Sequence, residues 1–331
     1  MGVRLNAVTR PPAVSVIMPA YNSEAFIAES VRSVLDQTFD DLELIVVDDG
    51  STDNTVARLA EFGDPRLKLV QHDSNRGVSA AGNTGFRAST GTFVGCIGSD
   101  DVWLPTKLAE QMALIERDPA IGVVYTWLGL IDAEGRIAPN VEAPDLDDDP
   151  IAALAAGRCR IITSVLVRRE EYARHGWLDT KLAAGEDWDL LLRLAVAGLK
   201  FRGVRKPLVY CRVRFDSLSH DPANAEAVRA AFEKLESLFL QHRGRLTPKV
   251  MGGAAFRSAQ WSIGMEHPRN AIQFIRKSLA FDWRITFSRA FVREMFTLLL
   301  LAGLPRPWYR SLRSRFSPDA TPRNAPLLTL R

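Results

Sequence analysis

The sequence predicts an α/β fold, in which a domain with a mostly parallel central sheet precedes a helical C-terminal region. In the first hundred residues, short apolar runs alternate four times with segments of helical spacing. This alternation is typical of a parallel sheet with right-handed crossovers. From about Asp221 the spacing is helical, interrupted by Pro248, Pro268 and Pro305. We therefore divide the chain into an N-terminal tail (1–12), a sheet domain (13–220) and a basic helical region (221–331).

The first four predicted strands are continuous apolar runs, as expected for strands that are buried on both faces. Pro19 should end the first strand, because proline has no N–H for a sheet hydrogen bond. Ser51, Thr52 and Asp53 are suitable N-caps for the helix after the second strand. The predicted strands are 14–18, 44–47, 67–70 and 93–97, and the predicted helices are 24–37, one after Gly50, and 80–88.

The pattern is less regular after residue 100. The acidic, proline-flanked segment 142–150 predicts an excursion on the surface. Further helices are predicted at 105–117 and 185–198, and further strands at 122–127, 161–167, 200–204 and 208–213.

The composition, with 47% hydrophobic and 24% charged residues, is that of a soluble globular protein. Cys96, Cys159 and Cys211 lack the spacing of metal ligands and predict free thiols in a reducing compartment. Residues 1–12 have no apolar core, so we expect no signal peptide and a cytoplasmic location. The five histidines also lack ligand spacing and are expected at the surface. We expect no nucleic-acid partner.

The charge is unevenly distributed. Residues 242–331 hold sixteen Lys and Arg against four Asp and Glu, a balance of +12, so the remainder carries −9 of the net +3. The basic end favours an anionic partner such as the inner face of a membrane, or it is a solvated helical face. For a membrane, residues 291–304 would enter the interface with Arg306, Arg310, Arg313 and Arg315 at the lipid phosphates. Alternatively, Leu298–Leu301 packs on the sheet domain or a second subunit.

Three acidic pairs follow strands or begin a helix of the sheet domain: Asp48–Asp49, Asp100–Asp101 and Glu186–Asp187. Open α/β sheets bind ligands at the carboxyl ends of their strands. Adjacent carboxylates repel each other unless a cation lies between them. Such oxygen ligands suit Mg²⁺ or Mn²⁺ shared with substrate phosphates.

These types of residue allow specific roles. Asp49 can accept hydrogen bonds from a nucleobase or ribose, Asp100 can hold a divalent ion, and Asp187 can take a proton from an attacking hydroxyl. Each pair also has a purely structural interpretation, since acids cap helices, favour a helix N-terminus or are simply solvated. Trp188 is expected in the core.

Five ordered segments sharpen the choice between these interpretations. They are VSVIMPAYN (14–22), IVVDDGSTD (45–53), NRGVSAAGN (75–83), SDDVW (99–103) and GEDWDLLLR (185–193). Together they resemble the family-two inverting glycosyltransferases of the GT-A fold, and the resemblance covers roughly residues 14–214.

The resemblance implies a nucleotide-diphosphate sugar donor, most simply a UDP-sugar, and a saccharide or lipid-linked acceptor in cell-surface polysaccharide or glycoconjugate synthesis. It implies that Asp100 binds Mn²⁺ or Mg²⁺ and that Asp187, with Glu186 beside it, is the catalytic base. The residues expected at the nucleotide-sugar site are Pro19, Tyr21, Asp48, Asp49, Asn75, Asp101, Arg212 and Arg214.

The sequence departs from the family pattern at three positions. Gly98 stands where the first acid of the metal-binding Asp-x-Asp is expected, Arg214 where a histidine is common, and Gly82 where an arginine is common. Arginine cannot bind a metal but can bind a diphosphate directly. A non-catalytic nucleotide-binding or scaffold protein of the same fold is therefore the alternative. A sugar nucleotidyltransferase lacks support because no glycine-rich phosphate loop follows the first strand, and a dehydrogenase because no G-x-G-x-x-G follows any strand.

Overall fold

A computed structural model of the chain describes residues 10–142, 144–155, 162–182, 184–213, 225–241, 246–264, 266–305 and 308–309. The strands are β1 (Val14–Ala20), β2 (Leu42–Asp48), β3 (Leu67–Gln71), β4 (Phe93–Cys96), β5 (Val102–Trp103), β6 (Ile121–Ile131), β7 (Ile137–Glu142), β8 (Leu166–Arg168) and β9 (Lys200–Arg212).

The helices are α1 (Ile27–Leu35), α2 (Thr55–Ala60), α3 (Val78–Ala88), α4 (Lys107–Arg117), α5 (Pro150–Ala155), α6 (Arg169–His175), α7 (Glu186–Val196), α8 (Ala225–Gln241), α9 (Pro248–Gly264), α10 (Pro268–Phe281) and α11 (Arg289–Gly303). Two short 3-10 helices cover Ile162–Ser164 and Trp283–Phe287.

These strands form one sheet in the order β3-β2-β1-β4-β8-β6-β9-β5, with β7 paired to β6. The first four strands are all parallel, which confirms the predicted crossovers. The short β8 is antiparallel to both β4 and β6, while β6 and β9 are parallel. The expected α/β architecture with a helical C-terminal region is therefore confirmed.

The prediction that Pro19 ends the first strand is wrong. Strand β1 continues to Ala20, and Pro19 pairs with Val47. Ile17 accepts a hydrogen bond from Ile97 N, so Ile17 and Pro19 direct their main-chain groups toward β4. Since β4 ends at Cys96, opposite Ile17, the missing N–H of Pro19 costs no sheet hydrogen bond.

Three predictions in the second half need correction. The strands expected at 200–204 and 208–213 are one strand, β9, whose register shifts where Pro207 faces Trp127. The strand expected at 161–167 is a 3-10 helix followed by β8. The expected surface excursion is partly buried, because Leu146 lies in the core and Asp147 accepts a hydrogen bond from the Tyr125 hydroxyl at 2.9 Å.

The C-terminal helices pack on the sheet domain and share its core. The rings of Trp188 in α7 and Trp261 in α9 meet edge to face at 6.3 Å, and Phe232 in α8 meets Phe274 in α10 at 5.3 Å. Leu298 of α11 also lies in this core, in agreement with the alternative in which this segment packs on the rest of the chain. Within the described residues, no helix has the combined length and apolar character that crossing a bilayer requires.

Candidate active site

Four loops at the carboxyl ends of β1, β2, β3 and β4 form one edge of the sheet, and hydrogen bonds join them. Asn22 N donates to Ser51 Oγ at 2.9 Å, which connects the loops after β1 and β2. The hydroxyls of Ser23 and Ser99 lie 2.7 Å apart and connect the loops after β1 and β4. The two acidic pairs predicted at strand ends therefore lie along one edge, as the sequence indicated.

Asp49 holds the loop after β3. Its buried carboxylate accepts hydrogen bonds from Arg76 N at 3.0 Å and Gly77 N at 2.8 Å. His72 Nδ1 lies 2.7 Å from the same carboxylate, and its side chain is only 6% exposed. The prediction of a surface histidine is therefore wrong for His72. In the sequence, the only indication of this contact with Asp49 was the position of His72, three residues before the Asn75–Arg76–Gly77 turn.

The turn after β2 depends on a glycine. Gly50 has φ +74°, and a Cβ there would lie 2.6 Å from the main-chain carbon of Ser74. Only glycine allows the loops after β2 and β3 to approach this closely. Asp48, the last residue of β2, accepts a hydrogen bond from Ser51 N on its Oδ2 at 3.3 Å. Its buried Oδ1 has no partner among the described residues, which leaves a carboxylate oxygen available to a donor.

Tyr21 and Pro19 complete this edge at the end of β1. The Tyr21 ring is 46% exposed although it directly follows a buried strand. Asn75, at the facing loop, uses its Oδ1 to accept a hydrogen bond from Gly77 N at 3.0 Å. An exposed ring beside buried carboxylates can stack on a base while the acids accept hydrogen bonds from it.

The carboxyl groups of Asp100 and Asp101 converge near Gly98. A Cβ at Gly98 would lie 3.1 Å from Asp100 Oδ1 and 3.0 Å from Asp101 Oδ2. Burial, with a further contribution from the charge of Asp100, raises the pKa of Asp101 to about 6. Two converging carboxylates fit Mg²⁺ or Mn²⁺ when substrate phosphates supply further oxygens. Among the described residues, no cluster of three His, Cys, Asp or Glu side chains stands ready to hold an ion alone.

The side chain of Arg212, which was expected at the nucleotide-sugar site, is buried and bound to other residues of the protein. Its Nη2 donates to Glu29 at 2.6 Å, its Nε donates to the Asp100 carbonyl at 2.9 Å, and its main-chain N donates to Asp101 Oδ1 at 3.0 Å. Its guanidinium is 1% exposed. Arg212 therefore positions the acidic loop after β4. Arg214 lies outside the described residues.

Glu186 and Asp187 begin α7, after Gly185 with φ +79°. Burial, with a further contribution from Asp187, raises the pKa of Glu186 to about 8. Asp187 Oδ1 accepts a hydrogen bond from Trp188 N at 2.7 Å. At neutral pH, Glu186 therefore holds a proton beside Asp187. Trp188 is buried and donates to the Leu154 carbonyl, so its predicted place in the core is confirmed.

A small apolar cavity links α7 to the end of β4, because Leu190 and Cys96 line it together with Gly82. Leu190 lies one turn after Glu186 in α7, and its side chain therefore brings the second turn of this helix close to the end of β4. Leu178 takes the space beside Gly82, where a Cβ would meet its Cδ1 at 2.8 Å. Asn83 holds this loop with two hydrogen bonds to the main chain of Leu178, at 2.8 and 3.1 Å.

Known glycosyltransferases match most of the sheet domain. The model of the family described as glycosyl transferase family 2 matches residues 15–166. EpsE of Bacillus subtilis strain 168, named as a putative glycosyltransferase, is 32% identical over 62% of this chain and 74% of its own length. The chain belongs to glycosyl transferase family 2. WfgD of Escherichia coli is 42% identical over 31% of this family-2 chain, and the match covers 40% of the length of WfgD. It is named as a UDP-Glc:α-D-GlcNAc-diphosphoundecaprenol β-1,3-glucosyltransferase.

Solved structures share the fold of this family-2 member. Residues 1–349 of Staphylococcus aureus TarS in complex with UDP-GlcNAc match 95% of the chain and 98% of that structure, with TM-score 0.66 and 18% identity. The mannosyltransferase PcManGT of Pyrobaculum calidifontis, in complex with GDP-Man and Mn²⁺, matches 94% of the chain and 89% of that structure, with TM-score 0.55 and 20% identity. The expected GT-A type fold is confirmed.

Proposed function

We propose that this protein transfers a sugar from a nucleotide-diphosphate sugar to an acceptor hydroxyl, with inversion at the anomeric carbon. The observation that carries the proposal is the edge where the loop after β1, with Tyr21 46% exposed, is hydrogen-bonded to the loops that follow the acidic ends of β2 and β4. Tyr21 and Pro19 would contact the nucleoside, and Asp48 Oδ1 would accept one of its donors. Asp49 and Asn75 would act by holding the loop of residues 72–77 in place.

A UDP-sugar is the donor we favour. TarS was solved with UDP-GlcNAc, and the name of WfgD contains UDP-Glc. PcManGT was solved with GDP-Man, so GDP is the second nucleotide to test. A saccharide or a lipid-linked saccharide is the proposed acceptor, since the name of WfgD gives a diphosphoundecaprenol acceptor.

Asp100, assisted by Asp101, would hold Mn²⁺ or Mg²⁺. The structural support for this site is that Asp100 Oδ1 and Asp101 Oδ2 converge: they would lie 3.1 and 3.0 Å from a Cβ added to Gly98. When bound, the ion would neutralise charge on the diphosphate oxygens as the nucleotide leaves. Arg212 would keep the acidic loop in position through its bonds to Asp100 and Asp101.

Asp187 would act as the catalytic base. The acceptor oxygen forms a bond to the anomeric carbon while the bond from that carbon to the diphosphate oxygen breaks on the opposite face. Asp187 receives the acceptor proton. Glu186, whose pKa is raised to about 8, would favour its neutral form beside Asp187 at neutral pH.

The proposal is tested by titrating UDP calorimetrically, with and without Mn²⁺, and by measuring turnover of UDP-sugars. We expect Asp187→Asn to keep the UDP affinity of the wild type and to lose about 10²–10⁴-fold in kcat, the usual size of general-base catalysis. Asp100→Ala should instead remove the Mn²⁺-dependent part of UDP binding. Glu61→Gln, an exposed acid paired with Arg58 on the surface, is the matched control and should change neither quantity.

Undiminished turnover by Asp187→Asn would exclude it as the base. The alternative of a non-catalytic nucleotide-binding protein makes a different prediction, because the wild type would then bind UDP but turn over no UDP-, GDP- or dTDP-sugar. A UDP affinity that is the same with and without Mn²⁺ would contradict the proposed role of Asp100.

A further inference from the structure

Large apolar side chains reach the surface mainly in one short part of the chain. Among the described residues, eleven large hydrophobic side chains are exposed, and six of them lie between residues 283 and 308. Most surfaces carry such side chains singly, whereas a concentration of them marks an interaction site. The six are Trp283, Phe287, Val292, Phe296, Leu299 and Trp308, with exposures from 61% to 78%.

Helix α11 has an unusual distribution of polarity. Val292, Phe296 and Leu299, at positions i, i+4 and i+7, form one outward stripe and are 61–67% exposed. On the inward side, Leu298 is buried, and Glu294 is buried with a hydrogen bond from Gln260 at 3.2 Å. A helix of a soluble domain normally turns its charges outward and its apolar side chains inward. The acid of α11 is therefore inside while its apolar stripe faces out.

The exposed charges around this stripe are arginines, of which Arg284 pairs with Asp282 at 2.7 Å and Arg293 pairs with Glu294 at 2.8 Å. The charged residues of 283–305 are Arg284, Arg289, Arg293 and the buried Glu294. The side chains of Arg284 and Arg293 are 66% and 56% exposed, and Arg289 is also exposed. Exposed tryptophan, phenylalanine and arginine therefore occur together in the short 3-10 helix and in α11 that follows it, a composition typical of segments that lie in the membrane interface.

We propose that this face, which we call the α11 face (Trp283, Phe287, Val292, Phe296 and Leu299), docks on an anionic membrane surface. The apolar side chains would enter the boundary between headgroups and acyl chains, and Arg289 and Arg293 would contact lipid phosphates. The catalytic edge would then act on an acceptor presented at the membrane. Arg306, Arg310, Arg313 and Arg315, which the sequence suggested for the same contact, lie outside the described residues.

A second copy of the chain fits this face less well. In a two-fold dimer the same surface meets itself, so Arg289 and Arg293 of one protomer would lie close to those of its partner. Among the described residues of 283–305, the only acid is the buried Glu294, which pairs with Arg293 of the same chain, so Arg289 of each protomer would meet no exposed acid. Lipid phosphates supply that negative charge.

Co-sedimentation of the full chain with vesicles tests the proposal. The vesicles are phosphatidylcholine alone, or phosphatidylcholine with about 30% phosphatidylglycerol as the anionic lipid. We expect the wild type to sediment with the anionic vesicles, and the triple variant Val292→Ser, Phe296→Ser, Leu299→Ser to partition at least about tenfold more weakly. Because all three side chains are mostly exposed, the substitutions should leave the fold and UDP affinity intact.

The matched control is the double variant Leu240→Ser, Ile272→Ser, which removes exposed apolar side chains from α8 and α10 outside the α11 face. It should sediment like the wild type. The proposal is overturned if the wild type does not bind anionic vesicles or if the triple variant binds them equally well. A dimer seen by light scattering that the triple variant dissociates would also overturn it and assign the face to self-association. The UDP titration of each variant keeps this test separate from that of the proposed transferase activity.

Discussion

Glu186 and Asp187 are neighbours in the sequence, and the surroundings of Glu186 disfavour its charged form. Glu186 begins α7 in a partly buried position, so its ionisation there costs solvation energy beside a second acid. Burial is the larger cause of its raised pKa, and the charge of Asp187 adds to it. The sequence showed the pair but not this shift of the Glu186 pKa.

This pair gives a pH-dependent stability. The pKa of Glu186 rises from 4.5 to about 8 on folding, so its contribution is fully present below pH 4.5 and is lost as the pH rises through 8. Glu186→Gln keeps the neutral form at every pH. We expect the melting temperature of Glu186→Gln, relative to wild type, to rise by at least about 3 °C between pH 4.5 and pH 8.5.

Calorimetric scans at a series of pH values measure this difference. Glu170→Gln, an exposed acid in the first turn of α6, is the control and should follow the wild-type curve. Parallel curves for Glu186→Gln and wild type would show that Glu186 is ionised in the folded protein.

At the scale of the elements, Glu43 joins the sheet at the edge opposite the active site. Its carboxylate accepts hydrogen bonds from Ser15 of β1 at 2.6 Å, from Lys68 of β3 at 2.6 Å and from Thr90 N, before β4, at 2.7 Å. Burial alone would raise the pKa of Glu43, but these hydrogen bonds outweigh it and lower the pKa to about 2. One buried acid thereby connects four strands, β1 to β4.

We expect Glu43→Gln to lower the free energy of unfolding by about 1–2 kcal/mol at pH 7, because a charged acceptor is lost while its donors remain. Since the folded pKa is depressed, the advantage of wild type is present above pH 4.5 and should shrink as the pH falls through 2. Urea unfolding at pH 7 and pH 3 measures it. An unchanged UDP affinity is expected, and a lost one would show that this edge communicates with the site.

At the scale of the whole molecule, the C-terminal helices support the catalytic helix. Lys234 of α8 donates to Asp189 of α7 at 2.8 Å and to Asp179 at 2.9 Å. Asp189 also binds Arg193, which donates to the main chain of the loop at His175–Trp177. One lysine therefore connects the C-terminal region, the helix that begins with Glu186, and the loop beside Gly82.

Lys234→Met should reduce kcat by about tenfold while UDP affinity stays within about twofold, because the first turn of α7 moves relative to the donor by a fraction of an ångström. Turnover and UDP titration measure the two quantities. Lys277→Met is the matched control, since the ion pair of Lys277 with Glu236 joins α10 to α8. Equal losses in both variants would mean that Lys234 only stabilises the helical region.

The sequence by itself determined the parallel half of the sheet, the helical C-terminal region and the acidic strand ends. These depend on local patterns: continuous apolar runs such as 44–47 form strands wherever they are buried, and acids that end parallel strands must meet at one edge. Pro248 and Pro268 likewise begin α9 and α10, because proline fits the first turn of a helix.

Only the tertiary structure decided the partners. His72 is buried because Asp49 and Thr84 lie on either side of it, and Arg212 is locked because Glu29, 183 residues away, comes to its guanidinium. Strand β1 passes through Pro19 because β4 happens to end beside it. The outward Val292, Phe296 and Leu299 have the same helical spacing as a buried stripe, so their exposure also depends on which face the rest of the chain covers. Contacts between residues far apart in sequence leave no local pattern, and only folding brings them together.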